Sequence, residues 1–148
     1  MREVVIFLTA LIGVFIIDQG LKELFLKGYE WHSKCISLEL HLNRGVAFSM
    51  LSFLGENLKW LQLGLIFLLA YLAINEGWLK KYPFWLGLLA GGALGNLYDR
   101  FVNGAVTDFV YWHCGFDFAV FNFADVAIDI GIAVILLLEF LKYKKKKV

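Results

Sequence analysis

Apolar and polar residues are segregated along this chain into long blocks. Four apolar runs predict helices at about residues 4–26, 57–76, 83–101 and 122–141. The first is uncharged only from Val4 to Ile17, some 14 residues, where a membrane span needs roughly 20. It therefore continues through Asp18 and Lys22, an acid-first pair at the four-residue spacing that favours an ion pair within one helix; Lys22 is then expected to reach outward along the membrane surface. Between the first two helices the period changes. Ile36, Leu38, Leu40 and Leu42 alternate with Ser37, Glu39, His41 and Asn43, and period two reads as a half-buried strand. Gly45 allows a turn, after which Val46 to Leu51 is expected to return as a second strand. The segment 102–121 reads as a short polar loop carrying Asp108, followed by an aromatic-rich run.

Helix ends carry their own signals. Pro83 suits a first turn, where its missing N–H is not needed. Asn122 is a good amino-terminal cap, which puts Asp125 in the first turn of the last helix, where the helix dipole favours an acid. Gly87, Gly91 and Gly95 recur every four residues on the third helix. Such a stripe lets another helix, or a lipid chain, come close to the backbone.

Composition turns these helices into membrane helices. The chain has 148 residues, is 60% hydrophobic and 18% charged, and has a mean hydropathy of +0.69, well beyond the roughly 45–50% apolar share of soluble domains. A single integral membrane domain over residues 1–148 is expected. The net charge of +1 hides an asymmetry: Arg2, the pair Lys80 and Lys81, and the tail with Lys142 and Lys144 to Lys147 are the basic places. By the positive-inside rule they face the cytoplasm, which puts both termini inside and segments 27–56 and 102–121 outside. The tryptophans at 31, 60, 78, 85 and 112 all fall near predicted membrane ends. The first helix offers no small-residue cleavage site after its apolar core, so it is expected to stay in the mature chain. Cys35 and Cys114 both fall outside; two cysteines are too few for a disulfide framework, and they are expected unpaired. His32, His41 and His113 are scattered and no HExxH or CxxC pattern occurs, so no metal site is expected; no cofactor and no nucleic-acid partner are expected either.

With that topology the buried polar groups gather at one depth. Asp18 and Lys22, then Asn96, Asp99 and Arg100, then Asp108, then Asn122 and Asp125 all sit at the outer interface, whereas a transporter would carry polar groups through the midplane as well. A small binding protein holding a cation, or a scaffolding bundle, are the rival readings. Paired carboxylates that share a proton can take one from water while giving one to a carbonyl oxygen, so Asp108 and Asp125 are the candidate catalytic pair. Nearby asparagines and an arginine are suited to orient a peptide and stabilise oxyanion charge.

The motifs DQGLK (18–22), NRGVAFS (43–49), GGALGNLYDR (91–100), GAVTDF (104–109) and FNFADVAI (121–128) resemble, in order along nearly the whole chain, those of the lipoprotein signal peptidases, or signal peptidase II. The resemblance implies a four-helix membrane aspartyl endopeptidase with a small external sheet that cradles substrate. It implies cleavage of bacterial prolipoproteins before a diacylglyceryl-modified cysteine, on the outer side of the cytoplasmic membrane. Asp108 and Asp125 match the catalytic dyad; Asn43, Asn96, Arg100 and Asn122 match the residues that hold substrate or dyad. Asp18, Lys22 and Asp99 match supporting polar positions. A monomer in contact with membrane lipid and sensitive to the peptide antibiotic globomycin is also implied. Leu21 stands where a small or hydroxylated residue is common, and Val46 where alanine is usual. Asp129, one turn below Asp125, is less expected; protonation or pairing with a basic group such as Arg100 would account for it.

Overall fold

The computed structural model describes residues 1–45, 52–116 and 118–147. Among them the elements run α1 (Arg2–Leu26), β1 (Trp31–His32), β2 (Ile36–Asn43), α2 (Leu58–Asn75), α3 (Trp78–Lys81), α4 (Pro83–Val102), β3 (Val106–Trp112) and α5 (Phe123–Lys146). Helix α5 runs on past residue 141 into its lysines, which are good helix formers. Gly77, at φ 67°, closes α2 and opens the single turn α3, a backbone angle that glycine adopts without strain.

Helix α4 is the centre of the bundle, with α1 on one side and α5 on the other. The glycines explain how the three come so close. A Cβ on Gly87 would stand 2.6 Å from the Phe7 carbonyl oxygen, and one on Gly91 2.6 Å from that of Leu11. On the other side, a Cβ on Gly92 would stand 2.5 Å from the carbonyl oxygen of Ala124. In the stripe, Gly87 and Gly91 thus admit the backbone of α1 and Gly95 admits the Asp18 carboxylate, which a Cβ would approach to 2.5 Å, so that no room is left there for a lipid chain. Helix α2 is more peripheral; Leu58 is its one buried residue.

The bundle exposes large apolar side chains and buries, beside an apolar core that includes Val14, Leu86 and Ile135, a compact set of polar ones. Ile12, Ile16, Leu65, Phe67 and Leu136 are exposed, while Asp18, Lys22, Asp99, Thr107 and Asn122 are fully buried. Helix α1 and the stretch Phe53–Asn75 are long and apolar enough to cross a membrane, with mean hydropathies of 2.3 and 1.6.

At one end of the bundle lies an antiparallel sheet of order β1-β2-β3. Trp31 pairs with Leu38, Ile36 with Trp112, and Asn43 with Val106, with an irregularity between Leu38 and His41. The partner of β2 thus comes from segment 102–121. Asp108 sits on strand β3, paired with His41, and the reading of that segment as a loop is corrected. Residues 46–51, expected as the returning strand, lie outside the described residues.

A second correction concerns the cysteines. Cys35 and Cys114 form a disulfide that spans 79 residues, joining the start of β2 to the chain just beyond β3. The strands hold them in register, since the His113 N–H donates to the Cys35 carbonyl at 2.9 Å. Non-reduced, denatured protein is expected to take up no thiol-specific maleimide, and two equivalents after reduction, read by mass spectrometry. Label on the non-reduced chain would mean open thiols.

Candidate active site

The site is assembled where α4, α5 and the sheet meet. Asn122 makes a capping box with Asp125: its side-chain oxygen accepts from the Asp125 N–H at 2.9 Å, and Asp125 Oδ2 accepts from the Asn122 N–H at 3.0 Å. This reciprocal cap fixes both side chains at the start of α5. The other Asp125 oxygen, Oδ1, accepts from Asn96 Nδ2 at 2.8 Å. Asp108 is held in the same manner. Its Oδ1 accepts from Asn122 Nδ2 at 2.7 Å and its Oδ2 from Asn43 Nδ2 at 3.0 Å. Asn122, with no exposed surface, therefore grips both carboxylates, one through its side chain and the other through its backbone.

The two aspartates line one cavity of about 430 Å³ together with Asn43, Asn96, Arg100 and Asp129, a size typical of ligand sites. Burial pushes the Asp108 carboxyl up from the ordinary aspartate range to about 6. Hydrogen bonds from Asn43 and Asn122 favour its ionised form and act against that rise, while the charge of Asp125 adds to it.

Behind the cavity a second cluster ties the elements together. Lys22 Nζ lies 2.8 Å from Asp18 Oδ2 and 2.9 Å from Asp99 Oδ2, and donates to Asn96 Oδ1 at 2.9 Å. Lys22 is 1% exposed, so its expected outward reach is corrected: it turns inward, because two carboxylates from different helices need its charge. Asp18 Oδ1 accepts from the Ala124 N–H at 2.9 Å, and Asp99 Oδ2 from the Thr107 N–H at 2.9 Å. The cluster thus anchors the first turn of α5 and the β3 residue before Asp108.

Arg100 touches neither Asp108 nor Asp125 through a hydrogen bond. It donates through Nη2 to the Gly45 carbonyl at 2.6 Å and through Nη1 to Gln62 Oε1 at 2.7 Å, clasping the chain after Asn43 to α2 and α4. Nor does it pair with Asp129. Sequence reasoning missed Gln62, which also donates to the Ala93 carbonyl at 3.1 Å, and Gln19, which donates to Asp18, Asp99 and the Gly95 carbonyl at 3.1 to 3.3 Å. Gln62 carries a usable signal: it is a lone amide inside an apolar run.

Comparison with known proteins agrees along almost the whole length. The model of the family described as signal peptidase (SPase) II matches residues 10–141. A lipoprotein signal peptidase of Sulfurovum sp. is 59% identical over 140 residues, covering 95% of this chain and 96% of the relative. One from Sulfurimonas denitrificans is 53% identical, covering 94% and 90%. Among solved structures, a bacterial membrane enzyme determined by the in meso method superposes with a TM-score of 0.81 at 26% identity, covering 96% of this chain and 91% of that one. The match runs over nearly the whole chain, and the chain belongs to the signal peptidase II family.

Proposed function

We propose that this signal peptidase cleaves diacylglyceryl-modified prolipoproteins immediately before the lipidated cysteine, using water activated between Asp108 and Asp125. The observation that carries the reading is the shared grip of Asn122 on both carboxylates at one cavity wall. With one proton between the pair, the ionised carboxylate takes a proton from water as the oxygen attacks the scissile carbonyl carbon. The protonated one donates to the carbonyl oxygen. Collapse of the tetrahedral intermediate returns that proton to the carboxylate and passes the other to the leaving amide nitrogen, so both carboxyls end as they began. Asn43, Asn96 and Asn122 hold the pair in place; Arg100 positions the chain around Asn43.

In this reading α1, α2, α4 and α5 cross the cytoplasmic membrane. Both termini and the lysine-bearing α3 are cytoplasmic, and the sheet is outside. The exposed apolar helix surfaces and the basic residues at the end away from the sheet support it. The bilayer holds the acyl chains of the substrate while the scissile bond stands at headgroup depth, within reach of water. The same cavity is the proposed seat of a globomycin-like inhibitor, and the chain acts as a monomer.

The test is a gel-shift assay with purified protein and a prolipoprotein supplied with and without its diacylglyceryl group. Cleavage of the modified form alone is expected; equal cleavage of both would overturn the substrate assignment. The pH profile adds a second check. The shared proton has an upper titration step near 6 through Asp108, so the rate declines as pH rises above that value. Asn43 favours the charged form, so Asn43→Ala is expected to move this limb to higher pH. A shift to lower pH would contradict the assigned contact.

A further inference from the structure

We propose that Asp129 recognises the peptide part of the substrate, accepting a hydrogen bond from a backbone N–H of the signal peptide on the membrane side of the scissile bond. This rests on the peptidase reading above and adds to it a specificity-determining residue.

Asp129 follows Asp125 by one helical turn, so both lie on one face of α5, with Asp129 about 6 Å further along. Both line the same cavity. The other acceptors and amides on its wall are already engaged: Gln62 donates to the Ala93 carbonyl and accepts from Arg100, Asn96 donates to Asp125, and each aspartate of the pair accepts two hydrogen bonds, while Arg100 keeps one buried donor, Nε, without a partner. Among the described residues Asp129 alone of the cavity's carboxylates makes no hydrogen bond or ion pair, although it is exposed. Its neighbours on the wall include Leu61, Leu65 and Ile128. A carboxylate left without a partner in such surroundings is costly, and it remains worthwhile if substrate supplies the partner.

The chemistry of the substrate selects which part that is. The thioether and ester groups of the lipid can only accept hydrogen bonds, as can an ionised carboxylate. The peptide has donors to offer. A signal peptide must be extended around the bond to be cut, and each unwound residue presents an N–H that its own helix no longer satisfies. An unmade N–H is expensive away from water, and a carboxylate is the strongest acceptor to meet it.

The experiment uses the full-length enzyme and a lipidated prolipoprotein peptide, with Asp129→Leu removing the acceptor and Asp129→Asn keeping a carbonyl. Asp129→Leu is expected to raise KM about tenfold to a hundredfold while kcat stays within about twofold, and Asp129→Asn to recover most of the loss. In parallel, ester bonds replace single amides at successive positions on the signal-peptide side of the cleavage site. One such ester is expected to raise KM for the unmodified enzyme by a similar factor, and to add nothing with Asp129→Leu. An unchanged KM for Asp129→Leu, additive effects, or no sensitive ester position would overturn the proposal. So would loss of kcat as complete as in Asp125→Asn, which would put Asp129 in the proton chemistry. Should Asp129→Leu not fold, Asp129→Ala takes its place in the same ester cycle, and the absence of any sensitive ester position on the unmodified enzyme overturns the proposal in either case. Asp108→Asn is run alongside: its retained cleavage would defeat the dyad, a different failure from any of these.

Discussion

Asp108→Asn and Asp125→Asn are each expected to lower kcat by on the order of 10⁴ or more, with little change in stability. Each proton transfer contributes roughly 10² to 10⁴ in rate, and one substitution removes both. A single remaining carboxyl cannot be ionised toward water and protonated toward the carbonyl at once. The fold should tolerate the changes because asparagine keeps an acceptor oxygen. In Asp108→Asn that oxygen still faces Asn43 or Asn122, and in Asp125→Asn it still faces Asn96 or the Asn122 N–H. The measurements are turnover of lipidated prolipoprotein in detergent and thermal unfolding of the same preparations. Turnover within tenfold of the unsubstituted enzyme, from either variant, would remove the dyad from the mechanism.

The sequence is most legible where the two faces of an element meet different surroundings. Strand β2 alternates for that reason, and its predicted residues, Ile36 to Asn43, are those that form it, although the polar side is the one turned inward: Ser37 is buried, while Leu40 and Leu42 are exposed. Strand β3 escaped notice for the converse reason. Val106, Thr107, Asp108 and Phe109 are all buried, so no polar face marks the period, and the aspartate and threonine suggest a loop. The candidate site residues stand out in the sequence as polar groups in costly places, yet their partners do not. Four-residue spacing pairs Lys22 with Asp18, but nothing local announces that Asp99 and Asn96, more than seventy positions later, close on the same ammonium. The disulfide is hidden in the same way, since only the β2–β3 register brings Cys35 and Cys114 together. Arg100 is legible as a charge near the two candidate aspartates, but its clasp on Gly45 and Gln62 depends on how α2 leans on α4.

Lys22→Met is expected to destabilise the protein by about 3–5 kcal/mol, the range for removing one partner of a buried ion pair. The change leaves Asp18 and Asp99, at 0% and 1% exposure, without the cation between them, and deprives Asn96 Oδ1 of a donor. At roughly 2–4 °C per kcal/mol for a chain of this size, the midpoint should fall by on the order of 10 °C. Activity should fall further than the folded fraction, because Asp18 holds the Ala124 N–H at the start of α5 and Asp99 holds Thr107 beside Asp108. The diagnostic comparison is Asp18→Asn/Lys22→Met/Asp99→Asn. With the charges removed together, no uncompensated ion remains, and neutral replacements of buried pairs are often tolerated. The triple variant should therefore unfold at a higher temperature than Lys22→Met alone. A loss from Lys22→Met below about 1 kcal/mol, the scale of a surface pair, would mean that water screens the cluster, and the buried network would then not be what aligns α1, α4 and α5 behind the cavity.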